Sequence, residues 1–177
     1  PRVKTAVAIG PWGMNTGFWD ADGLAGVQLP MLFMAGSQDD TSLYESGVRA
    51  IWENVTGVET ALLTYVNAGH NAAAPMPAPA ESFYFNEDKG FNISEHYSDP
   101  VWDTVRMNNI AQHFVTAWMD MQLKEGLNGD YLELTTTSND GVWSVNEDGT
   151  AKEDHSHWKG FAKGTAKGLT YEVKTPE

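Results

Sequence analysis

The segment PMLFMAGSQDD, residues 30–40, ends an apolar run at Gly36 and sets Asp39 three positions beyond it. The segment YVNAGHN, residues 65–71, ends another apolar run and sets His70 in a bed of Gly, Ala and Asn. A carboxylate and an imidazole form a general-base pair when the carboxylate accepts from Nδ1. It then fixes the tautomer and stabilises the imidazolium formed when Nε2 takes a proton. Each residue also has a plain reading. A Gly-x-x-Asp after a strand is often a turn or a helix cap, and a histidine among small residues is often structural. Their order carries more weight: strand, Gly-x-x-Asp, helix, strand, Gly-His, with 31 positions from Asp39 to His70.

That order works only if the strands are parallel, because their carboxyl ends then share one edge, where active sites collect. Three short runs suit strands buried on both faces: VKTAVAI at 3–9, MLFMAG at 31–36 and ALLTYV at 61–66. Between the second and third, Ser42 and Glu45 read as a capping box. Leu43, Gly47, Val48, Ile51 and Trp52 share one helical face, so a helix is predicted over 42–55 and a βαβ unit over the whole. A Pro- and Ala-rich stretch from 72 to 98 is too long for a simple connection and reads as an ordered functional loop or lid. A long helix is predicted from 99 to 124, with Asp99 as N-cap and Pro100 in its first turn. Its core stripe is Met107, Ile110, Phe114, Trp118 and Met121. From Gly126 onward, GVWSV and LTYEV alternate among turn residues, as in a small β element.

Composition narrows the function. The chain has 177 residues, 41% hydrophobic, with seven Trp, enough for one packed domain. Its 24 acidic residues against 11 basic give a net charge of −13, which argues against nucleic acid or an anionic membrane as partner. Cysteine is absent, which excludes disulfides, thiolate zinc sites and a cysteine nucleophile. No apolar run approaches the ~20 residues of a membrane-spanning helix. No signal peptide is present, which assigns no compartment to a chain that begins at Pro1.

PMLFMAGSQDD and YVNAGHN together resemble the acid turn and histidine loop of the α/β-hydrolases, specifically the dienelactone-hydrolase-like esterases. In that family the triad runs Ser, Asp, His along the chain. The resemblance covers residues 1 to about 80 and extends to the helix at 99–124. It implies an α/β fold: the C-terminal portion of a hydrolase parallel sheet with flanking helices over 1–125. A small irregular or β tail, 126–177, is expected to pack on the same domain. It implies Asp39 as the acid, His70 as the base, a small-molecule carboxylic ester or lactone as substrate, and no cofactor or metal.

One departure is large: no Gly-x-Ser-x-Gly elbow occurs in the chain. Ser37 lies beside the acid turn, where nothing suggests a strand-to-helix elbow. The serine, the oxyanion hole and the first strands are therefore expected in an N-terminal segment of the same hydrolase, upstream of Pro1. A non-catalytic interaction module, or a degenerate hydrolase half, is the rival reading. The 177 residues alone are expected to be inactive, marginally stable and prone to associate through an open edge on the first strand.

Other residues carry weaker signals. Trp12, in the GPWG that follows the first strand, reads equally as a substrate-binding wall or a structural aromatic. Asp40 competes with Asp39 for the acid role. Asp154, His155 and His157 lie close together, yet no further ligand is apparent, so a solvated polar loop outweighs a metal site. NVT and NIS match glycosylation sequons, which matter only in a secretory eukaryotic protein.

Overall fold

A computed structural model describes residues 2–73 and 78–176. The positions 74–77, part of the stretch read as a loop or lid, lie outside the described residues. The fold is mixed α/β, a mostly parallel four-stranded sheet with helices packed against it. Strands β1 (Ala6–Ile9), β2 (Met31–Gly36) and β3 (Thr60–Tyr65) lie side by side in chain order and run parallel.

β3 is buried along its whole length and β2 from Leu32 onward, as uninterrupted apolar runs require when both faces are covered. β1 differs from the buried strand expected at 3–9. It is shorter, half-buried and, among the described residues, paired only with β2, and Val3 and Ile9 are about half exposed.

The pleat sends alternate side chains to opposite faces. Leu32, Met34, Leu63 and Tyr65 meet Met107, Ile110, Phe114 and Trp118. Phe33, Ala35 and Leu62 meet Val48, Ile51, Trp52 and Val55. The short helix α1 (Ala21–Ala25) adds Leu24 to this second core. The long helix α3 (Thr104–Leu123) therefore covers one face, and the segment between β2 and β3 covers the other.

That segment is not the regular helix expected over 42–55. Tyr44–Arg49 is π-helical and only Ala50–Asn54 is α-helical, here α2. Ser42 caps nothing, because its Oγ donates to the Gly10 carbonyl at 2.8 Å. Leu43 adopts φ 62°, and Val48 N donates to Leu43 O five residues back, the bond of a π-turn. A Cβ at Gly47 would overlap the Ser42 carbonyl, so only glycine admits this crossing.

The long helix also starts later than expected. Asp103, not Asp99, is its N-cap, accepting from Arg106 N at 2.8 Å. Between β3 and α3 lie a two-residue hairpin, β4 (Phe85–Asn86) with β5 (Phe91–Asn92), and 3-10 turns at Ala80–Phe83 and Ile93–Tyr97.

The tail packs on the same sheet. Trp158, Leu132 and Ala166 enter the α3-side core. LTYEV belongs to β6 (Leu169–Lys174), which pairs antiparallel with β3 from Thr60↔Lys174 to Tyr65↔Leu169. GVWSV forms no strand, only the single bridge Val145↔Ala151. Arg49 on the π-turn makes a two-pronged ion pair with Glu172 of β6, at 2.8 and 3.0 Å. Among the described residues no helix is long and apolar enough to cross a membrane.

Candidate active site

β2 and β3 end side by side at Gly36 and Tyr65, and the loops that leave them carry Asp39 and His70. Backbone bonds lace the two loops together. Ser37 N donates to Tyr65 O at 3.0 Å and Gln38 N to Ala68 O at 2.8 Å. The loops are so close that a Cβ on Gly36 would overlap the carbonyl oxygens of Ala68 and Gly69.

His70 Nδ1 lies 2.9 Å from Asp39 Oδ2 and 3.1 Å from Oδ1. The Asp39 side chain is fully buried, while that of His70 is 38% exposed. A buried carboxylate must have its lone pairs occupied. Here Oδ1 accepts the backbone N–H groups of Thr41 at 2.9 Å and Ser42 at 2.8 Å, and the imidazole N–H supplies the rest. A carboxylate against Nδ1 keeps the proton there and leaves a lone pair on Nε2. Among the described residues, the hydrogen bonds of this ring are made by Nδ1 alone.

The open side of His70 faces a cleft of about 1140 Å3, lined by Thr41, Phe91, His96, Pro100 and Val101 among others. Phe91 and His96 meet edge to face at 5.1 Å. The cleft thus joins an imidazole whose Nε2 makes no hydrogen bond within the described residues to a mixed lining in which Phe91, Pro100 and Val101 are the apolar side chains, which suits proton transfer on a partly apolar substrate.

The other side of the pair is closed by the turn after β1. Gly10 adopts φ 53°, and a Cβ there would sit 3.3 Å from His70 Cε1 and 3.7 Å from Asp39 Oδ2. The Gly10 carbonyl also holds Ser42 Oγ, so three consecutive sheet-edge turns lock on one another. Composition offered no sign of Gly10 or Ser42 in this role. Asp99, read as a helix cap, instead accepts from Gly69 N at 2.7 Å and pins the histidine loop.

The remaining candidates separate. Asp40 is exposed on the cleft rim, and among the described residues its carboxylate accepts from Thr41 Oγ1 alone, at 3.4 Å. Ser37 Oγ accepts from Asn67 N at 2.8 Å and lines a different cavity, beside Tyr44, Arg49 and Glu172. Trp12 stands two residues past Gly10, 47% exposed, edge-on to Phe18 at 5.3 Å. Trp19 Nε1 donates to its carbonyl, fixing three aromatics on the turn that abuts His70. Trp12 is not among the side chains that line the His70 cleft.

His155 and His157 pack edge-on to Trp143 at 5.3 and 5.1 Å. His155 Nδ1 bonds the Ser144 carbonyl and His157 Nε2 the Ala162 carbonyl. Among the described residues no group of three His, Asp or Glu side chains is placed to hold a metal ion. These histidines fasten the tail.

Compared with known proteins, the chain matches no protein-family model and no curated protein at a significant level.

Proposed function

We propose that this chain supplies the acid and base of a serine-dependent hydrolase acting on a carboxylic ester or lactone. The carrying observation is the Asp39–His70 contact at 2.9 Å, with Asp39 buried and His70 open to a cleft. On this reading the sheet is the C-terminal part of an α/β-hydrolase of the dienelactone-hydrolase-like kind. The nucleophilic serine and oxyanion hole lie in a segment upstream, adjoining β1.

In the mechanism, His70 Nε2 takes the serine proton as the hydroxyl attacks the substrate carbonyl. His70 then returns that proton to the leaving alcohol, and an acyl-enzyme forms. Water, deprotonated by the same nitrogen, releases the acid and regenerates the serine. Asp39 keeps the ring in the productive tautomer and stabilises the imidazolium. Trp12, on the turn against His70, is offered as a wall for the apolar part of the substrate.

A fluorophosphonate probe on the longer chain tests this. Mass spectrometry should place one adduct on a serine upstream of Pro1, lost on His70→Ala. An unlabelled chain, or an adduct unaffected by His70→Ala, contradicts it.

A second reading, a non-catalytic interaction module, is favoured by one observation. No described hydroxyl bonds His70. Sedimentation and melting of the 177 residues separate the two. A hydrolase piece with β1 bare should bind a hydrophobic dye and associate. A clean monomer with a sharp melt and no dye binding favours the module.

A further inference from the structure

The residues that flank His70 on both sides are tied to one strap, residues 95–102. Gly69 N donates to Asp99 Oδ2 at 2.7 Å. Asn71 Nδ2 donates to the carbonyls of Glu95 at 2.6 Å and Ser98 at 3.1 Å. Below them, Trp102 Nε1 donates to Val66 O at 2.8 Å, and its ring stands edge-on to Tyr65 at 5.3 Å.

Asp99 is the centre of this strap. It is buried, and its other oxygen accepts from Val101 N at 2.9 Å and Trp102 N at 2.7 Å. That arrangement is not needed to start α3, which has its own cap in Asp103. A buried carboxylate with three N–H donors is an expensive group to keep unless the position it fixes matters. What it fixes is the Ala68–Gly69 peptide, one link before His70. The same strap presents His96, Pro100 and Val101 to the cleft.

We propose that Asp99 is a positioning residue. Through Gly69 it sets the His70 backbone so that Nδ1 meets Asp39 and Nε2 faces the cleft. The consequence for rate rests on the hydrolase reading above, whereas the consequence for ring geometry does not.

Asp99→Asn is a selective test. An Asn Oδ1 can still accept from Val101 and Trp102, but its NH2 would face the Gly69 N–H, donor against donor. Asp103→Ala, which removes the cap of α3 without touching the histidine loop, is the control. The readout is the His70 Nδ1–H resonance in the complete, 15N-histidine-labelled chain, together with kcat and KM on a p-nitrophenyl ester.

Asp99→Asn should shift or broaden that resonance and lower kcat by about tenfold to a hundredfold, with KM moving less. Asp103→Ala should leave the resonance in place while lowering the melting temperature. A His70 resonance unchanged in Asp99→Asn overturns the proposal. A resonance lost in Asp99→Asn, in a chain that hydrolyses no ester in any form, supports the positioning role and overturns the hydrolase reading instead. Should Asp99→Asn fail to fold, Asn71→Ala reads the strap from its other tie, and an unchanged resonance there overturns the proposal.

Discussion

Asp39 Oδ2 meets His70 Nδ1 at 2.9 Å, and the same carboxylate holds the backbone of Thr41 and Ser42 through Oδ1. One side chain therefore shapes its own loop and orients the ring on the next. The turn-residue reading of Asp39 is met by Oδ1, which holds both backbone N–H groups, and the carboxylate is at the same time within hydrogen-bond reach of the imidazole through Oδ2 and Oδ1.

That division of labour separates Asp39 from Asp40. In the complete chain, Asp39→Asn should lower kcat on a p-nitrophenyl ester by about 10⁴-fold, because an amide favours the wrong tautomer of the ring. Asp40→Asn, at the exposed rim, should leave kcat nearly unchanged. Equal losses in the two variants would remove Asp39 from the acid role.

The close approach of the two loops makes Gly36 sensitive. Gly36→Ala would drive a methyl group into the carbonyls of Ala68 and Gly69, and the Ala68 carbonyl is held by the Gln38 N–H and cannot simply swing away. Overpacking of this kind should destabilise the fold by about 3 kcal/mol, read as a lower urea midpoint. A midpoint at the wild-type value would mean that the loops separate more easily than their packing implies.

His113 predicts a pH dependence of stability. Its ring is enclosed by Phe161 at 4.7 Å, Phe114 at 5.2 Å and Tyr131 at 5.6 Å, and its buried Nε2 makes no hydrogen bond within the described chain. Burial holds its pKa below the ordinary 6.5. In the unfolded chain the ring titrates near its ordinary value. Between the two pKa values the unfolded state binds more protons, so this residue's contribution to stability is present above pH 6.5 and is lost as pH falls below it. Urea midpoints taken at about pH 7.5 and about pH 5.5 should therefore fall less in His113→Phe than in the wild type. An identical fall in both would show that His113 is not the group responsible.

Much of this arrangement was legible in residue order. The run expected at 61–66 is the strand Thr60–Tyr65, with Val66 exposed beyond it, and this strand and Leu32–Gly36 are buried, so their apolar continuity alone marks them as inner parallel strands. Asp39 and His70 follow those strands directly, and adjacency of the strands brings the side chains together. What stayed hidden depends on contacts far apart in the chain. Ser42 has the right spacing for a cap, but its hydroxyl is drawn to Gly10, and a π-turn results. Asp99 has the right neighbours for a cap, but it bonds the loop before His70 while Asp103 starts the helix. The alternation of LTYEV marks a strand without saying which edge it joins. It joins β3, and Leu169 at its start shares the α3-side core with Trp158 and Ala166, contacts that lie far apart in the chain.

The most direct measurement is hydrolysis of a p-nitrophenyl ester by the 177 residues and by the longer chain, each with and without His70→Ala. The 177 residues should show no turnover above the buffer rate, since a base without its nucleophile recovers little of a triad's rate. The longer chain should turn over and lose that activity on His70→Ala. Turnover by the 177 residues that vanishes on His70→Ala would place a nucleophile within this chain, and a longer chain with no His70-dependent turnover would contradict the hydrolase reading altogether.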